Sequence, residues 1–184
     1  MTDITNLSTV NVAISNYIAV VTMNNPPVNA QNRQFHDDLT LAFDVLSDRN
    51  DVRSIVLTGA GKCFSAGADI KGRASQESDL GDHWVHSRRV RECFYSIMEC
   101  RKPVIAAING SALGAAMAVA ASADILIASE SASVGLPEIN VGLLGGGRHA
   151  MRLFGHSKTR RLMITGQRLS GAALYRLGVV EECV

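Results

Sequence analysis

The chain has 184 residues, 47% of them hydrophobic and 19% charged, with a formal net charge of +1. That composition suits one sizeable globular core. The near-neutral balance supplies neither the basic surface of a nucleic-acid groove nor an attraction to an anionic membrane, and no apolar run approaches the roughly 18 residues of a membrane span.

In chain order, "MTDITNLSTV" lacks the basic start and apolar block of a signal peptide. "VNVAIS" and "IAVVTMN" are β-branched runs separated by Asn16 and Tyr17, and they predict a hairpin that Pro26 and Pro27 close off. Phe35, Leu39, Ala42, Phe43 and Leu46 recur at helical spacing and predict an amphipathic helix over about residues 34–48. "SIVLTG" is a short buried strand. The polar run "GRASQESDLGDH" is the candidate mobile segment. A helix is expected over residues 84–98, with Val85, Val90, Phe94, Ile97 and Met98 toward the core.

Beyond it, "PVIAAI" is a strand, Asn109-Gly110 a turn, residues 115–121 a helix of small residues, and "DILIAS" another strand. A short strand in "SASVG" precedes Pro137-Glu138. A Gly-rich turn then leads into a helix, further short helices cover 157–165 and 172–177, and "GVVEECV" reads as a last strand. Strands and helices interleave without a linker or a clean internal repeat, which predicts one α/β layered domain over residues 1–184. Cys63, Cys93, Cys100 and Cys183 show no C-x-x-C spacing. They predict free structural thiols in a reducing cytoplasm, with neither a disulfide framework nor a metal site.

Two stretches combine a strand, a turn and very small side chains: Phe64 to Asp69 ("FSAGAD") and Ser111 to Met117 ("SALGAAM"). Exposed backbone N–H groups at a helix start carry partial positive charge, and two of them converging would hold an oxyanion. Taken singly, either stretch also reads as tight strand-to-helix packing.

"FSAGADIK", "KPVIAAINGSALGAAMAVAASADILIAS" and "SVGLPEINVGLLGG", in this order, resemble the crotonase superfamily of enoyl-CoA hydratases and isomerases. The similarity runs from about Val10 to the end. It implies a crotonase-like fold of repeated ββα units in a spiral, with the family's usual C-terminal helical region absent. It further implies an acyl-CoA substrate, with coenzyme A as part of that substrate and no prosthetic group, and assembly as a homo-trimer or hexamer.

By the same resemblance, the Ala68 and Ala115 amides are the two oxyanion donors, the family's usual glycine at the second place being alanine here. Coenzyme A contacts map to Ala66, Ala68, Asp69 and Ile70, with Val28 and Ala30 along the thioester arm. Of the family's two catalytic glutamates, the second is Glu138, and the first position is occupied by Ala118. One carboxylate suffices to move a proton between two carbons, whereas adding water asks one group to orient the water and another to deliver the proton. The pattern therefore favours double-bond isomerisation over hydration.

A coenzyme A thioester-binding protein without catalysis, thioester hydrolysis, decarboxylation, and a hydrolase using Ser65 or Ser111 remain as alternatives. The last lacks a G-x-S-x-G elbow. "TGAGKC" and "GLLGGGRH" fall short of phosphate- and dinucleotide-binding patterns. Of the five histidines, His83 and His86 lie beside the expected cleft and are the first candidates for a second catalytic group. Arg33, Lys71 and Arg73 are candidates for the coenzyme A phosphates.

Overall fold

The structure, a computed structural model, describes residues 4–72 and 79–184. Its first two strands, β1 (Val10–Ser15) and β2 (Ile18–Met23), pair antiparallel from Val10↔Met23 to Ser15↔Ile18. Asn16 and Tyr17 both take positive φ, 50° and 66°, which is the backbone twist a two-residue hairpin turn needs. Helix α1 (Arg33–Asp48) starts where the Asn32 side chain accepts the Phe35 N–H at 2.8 Å. The five apolar positions expected on its inner face are all fully buried.

β3 (Ser54–Gly59), β5 (Val104–Ile108), β7 (Ile125–Ala128) and β10 (Glu182–Cys183) continue from β2 as parallel neighbours, so the large sheet runs β1-β2-β3-β5-β7-β10. A second sheet is built from three-residue strands: β4 (Cys63–Ser65), β6 (Ser111–Leu113), β8 (Ser133–Gly135) and β9 (Arg168–Ser170). β4, β6 and β8 are parallel, and β9 closes the edge antiparallel to β8. The chain thus steps from one sheet to the other three times: β3 to β4, β5 to β6, and β7 to β8. The first two steps lead into α2 (Leu80–Met98) and α3 (Ala115–Ala120). The third leads into a 3₁₀ turn (Pro137–Val141) and α4 (Gly147–Leu153). These are the repeated ββα units, present in the backbone although the sequence shows no repeat. Helices α5 (His156–Thr165) and α6 (Gly171–Arg176) complete the described fold.

Two expectations change. Helix α2 begins at Leu80, four residues before the expected start, because Asp79 accepts the Asp82 N–H at 2.9 Å and caps it. Part of the polar run expected to be mobile is therefore helix, and residues 73–78 lie outside the described residues. On α2, Val85 faces solvent, 52% exposed, while Cys93 takes a core position. Burial pushes the Cys93 thiol up to about 12, so it stays protonated and inert. All four cysteines are free. No described helix is long and apolar enough to cross a membrane.

Candidate functional site

The small sheet explains the site. β4, β6 and β8 are adjacent and parallel, so the segments that follow them leave from the same edge. Those segments carry Ala66 and Ala68, Gly114 and Ala115, and Glu138 respectively. Three stretches far apart in sequence are brought together by a pairing of only three residues per strand.

The closeness is atomic. Gly67 has φ 89°, and a Cβ added to it would lie 2.4 Å from the Leu113 carbonyl oxygen and 3.3 Å from the Ala115 nitrogen. Only a residue without a side chain lets the first loop lie against the second. Ser65 fixes the first loop from within. Its buried hydroxyl donates to the Asn29 carbonyl at 2.6 Å and accepts the Gly67 N–H at 3.1 Å. A hydroxyl so engaged and fully buried is a structural pin, not an attacking nucleophile. Gln31 extends the clamp: its N–H donates to the Gly67 carbonyl at 2.8 Å, and the Asp69 N–H donates to its carbonyl at 3.1 Å. These bonds leave the Ala68 N–H unused. Neither it nor the Ala115 N–H, at the start of α3, donates to any group among the described residues.

A cavity of about 660 Å³ opens beside these amides. Ala66, Ala68, Ile70, Ala115 and Glu138 line it, and so does Ala118, whose methyl leaves its share of the volume empty. Val28, Ala30 and Asp69 do not line it. Val28, 40% exposed, accepts the Ala66 N–H on its carbonyl at 2.9 Å, and Asp69 turns its carboxylate to the Gly72 N–H at 3.0 Å. Arg33 and Lys71 also lie outside the lining, and Arg73 falls among the undescribed residues.

Glu138 is the cavity's carboxylate. Its Oε2 is buried and has no hydrogen-bond partner, and burial raises the carboxyl pKa above the ordinary glutamate value. A carboxylate whose pKa is raised is a stronger base toward a nearby proton. Two unused amides facing the same space can stabilise a developing oxyanion.

Histidines form part of the remaining polar lining, together with Ser87, Arg91, Tyr95, Asn140 and Arg168. His86 is there, whereas His83 lines a separate shallow depression beside Trp84. His36 and His149 also line the main cavity, which scattered spacing could not reveal. His36 is 1% exposed with neither ring nitrogen partnered, and its pKa falls to about 4, chiefly through burial and then through His86 and Arg89. His149 packs its ring edge-on to Phe94, centroids 4.7 Å apart. Its Nδ1 is buried without a partner, and burial, with Arg152 and Arg148 nearby, lowers its pKa. Among the described residues no group of three or more His, Cys, Asp or Glu is arranged to hold a metal ion.

Residues 13–184 match the family described as "Enoyl-CoA hydratase/isomerase". A protein named "Probable enoyl-CoA hydratase" from Bacillus subtilis is 36% identical over 178 residues, covering 95% of this chain and 69% of that protein. A Mycobacterium tuberculosis protein named as a (7aS)-7a-methyl-1,5-dioxo-2,3,5,6,7,7a-hexahydro-1H-indene-carboxyl-CoA hydrolase is also 36% identical, over 168 residues, covering 91% of this chain and 67% of its own length. The chain spans between 60% and 69% of the length of the first three curated relatives it matches. The crystal structure of an enoyl-CoA hydratase from Thermoplasma volcanium superposes with a TM-score of 0.88 at 32% identity, over 96% of this chain and 71% of that one.

Proposed function

Because the chain belongs to the enoyl-CoA hydratase/isomerase family, we propose that it acts on an acyl-CoA thioester, holding the thioester oxygen between the Ala68 and Ala115 amides and moving a proton with Glu138. The observation that carries this reading is the meeting of two unused N–H groups and one unpartnered, buried carboxylate oxygen at a single cavity. Hydrogen bonds to the thioester oxygen make the α-carbon acidic, and the resulting enolate is stabilised where its charge appears.

Glu138 takes a proton from the α-carbon of a 3-enoyl thioester and returns it to the γ-carbon, so the double bond moves into conjugation. One carboxylate is enough for this step, and Ala118 offers no second, which is why double-bond migration is the preferred reaction. The test is product analysis with 2-enoyl- and 3-enoyl-CoA. Isomerisation of the 3-enoyl substrate is expected, and efficient hydration without any isomerisation would overturn the preference.

Coenzyme A lies across Ala66, Ala68 and Ile70, which face the opening. The Val28 carbonyl holds that wall through the Ala66 N–H. A second reading, hydrolysis of the acyl-CoA, is favoured by the name of the Mycobacterium tuberculosis relative. It predicts free acid and coenzyme A in the same assay.

Apolar side chains at the surface, including Leu80, Trp84, Leu144 and Ile164, support self-association as a trimer or hexamer. A monomer in light scattering at micromolar concentration would contradict that assembly. Four free thiols support a reducing compartment such as the cytoplasm.

A further inference from the structure

Three features meet at His149. Its ring is held by Phe94 at an interplanar angle of 70°, so its direction is fixed by packing. A buried ring nitrogen has no partner, although buried polar atoms in folded proteins nearly always have one. Its helix, α4, packs directly on α3, the helix that begins with the Ala115 amide and carries Ala118. The imidazole therefore lines the same cavity as the Ala118 methyl and Glu138.

We propose that His149 is a second proton-handling residue of this cavity and gives the protein a second reaction, the addition of water to a 2-enoyl thioester. This rests on the cavity being the thioester site proposed above. A water molecule in the space beside Ala118 gives one proton to the imidazole as its oxygen bonds to the β-carbon. The electron pair of the double bond moves toward the α-carbon and the thioester oxygen, where the two amides hold it. Protonated Glu138 then delivers its proton to the α-carbon. The product is the 3-hydroxyacyl thioester, His149 holds one extra proton, and Glu138 lacks one. Transfer between them through solvent after product release restores both. Burial shifts both groups toward their neutral forms, the direction this step favours.

Isomerisation does not use this water, so the two reactions separate the two residues. The test follows both products with the purified full chain, a 2-enoyl-CoA and a 3-enoyl-CoA in deuterated water, comparing wild type, His149→Phe, His149→Gln and Glu138→Gln. Wild type is expected to form 3-hydroxyacyl-CoA. In His149→Phe, kcat for water addition should fall by about tenfold or more beyond any fall in isomerisation, with little change in KM. His149→Gln, close in size and able to bind water but not to take its proton, should show the same selectivity to a smaller degree, and it carries the test if Phe overfills the site. Equal loss of both reactions in both variants, an unchanged product ratio, or no water addition by wild type would overturn the proposal. If Glu138→Gln retained isomerisation while His149→Phe still lost water addition selectively, the reading of Glu138 would fail and that of His149 would stand.

Discussion

A Cβ placed on Gly114 would lie 2.8 Å from Oε1 of Glu138. The residue before the Ala115 amide, proposed as an oxyanion donor, is therefore also the floor on which the Glu138 carboxylate, proposed as the proton carrier, rests. Gly114 has φ 58°, where side chains are strained. Gly114→Ala should push the carboxylate off its position and strain the turn. The expected outcome is a kcat reduced by roughly ten- to a hundredfold with a stability loss of about 1–2 kcal/mol. Steady-state kinetics and a thermal melt on the same preparation check both halves. Unchanged kcat would show that Glu138 does not need this seat.

Ala68→Pro asks a different question. The Gln31 clamp uses the Gly67 carbonyl and the Asp69 N–H, and leaves the Ala68 N–H to the cavity. Proline at 68 removes that donor alone. The expected loss is about 3 kcal/mol of transition-state stabilisation, roughly a hundredfold in kcat/KM, with the melting temperature little changed. Full activity in a folded Ala68→Pro protein would remove Ala68 from the oxyanion hole.

His36 predicts a pH dependence of stability. Its folded pKa of about 4 lies below the free histidine value of 6.5, so the unfolded chain binds more protons between those values. Above pH 6.5 both states are neutral and there is no penalty. As the pH falls from 6.5 toward 4, stability should drop by as much as roughly 3 kcal/mol. His36→Phe should flatten this limb in urea titrations across that range. An identical slope in the variant would show that His36 is not its source.

Ala118→Glu should place a second carboxyl in a cavity where Glu138 is already partly desolvated. Two like charges in such a space cannot both ionise easily. The acid limb of the kcat/KM profile for isomerisation, already expected above the ordinary glutamate value of 4.5 because burial raises the Glu138 pKa, should move further up. Hydration of a 2-enoyl-CoA should rise. A profile that does not move would mean that the side chain at 118 points away from Glu138.

The hairpin and α1 were legible in the sequence because their signals are local: β-branched runs around Asn16-Tyr17, and apolar residues at helical spacing from Phe35 to Leu46. The three-residue strands β4, β6 and β9 left no pattern, since two or three small residues carry neither alternation nor bulk. Yet β4 and β6, paired beside β8, are what bring Ala68, Ala115 and Glu138 to one edge. The small-residue pattern pointed to the first two loops, and only the family resemblance singled out Ala68, Ala115 and Glu138 within the chain. The cavity histidines were out of reach for a related reason. His36 and His149 belong to α1 and α4, far apart in sequence, yet line one cavity, and nothing near either in sequence distinguishes them from surface histidines. Val85 was misread because, nine residues before buried Phe94, it lies on the opposite side of α2.

The central claim is that Glu138 moves a proton at the α-carbon of an acyl-CoA thioester. Incubating wild type and Glu138→Gln with 3-enoyl-CoA in deuterated water, and following deuterium and double-bond position by mass spectrometry and NMR, tests it most directly. The account predicts conjugated 2-enoyl-CoA bearing solvent-derived deuterium from the wild type, and a rate lower by about two to four orders of magnitude from a folded Glu138→Gln protein. A Glu138→Gln protein that isomerises the substrate at the wild-type rate would contradict it.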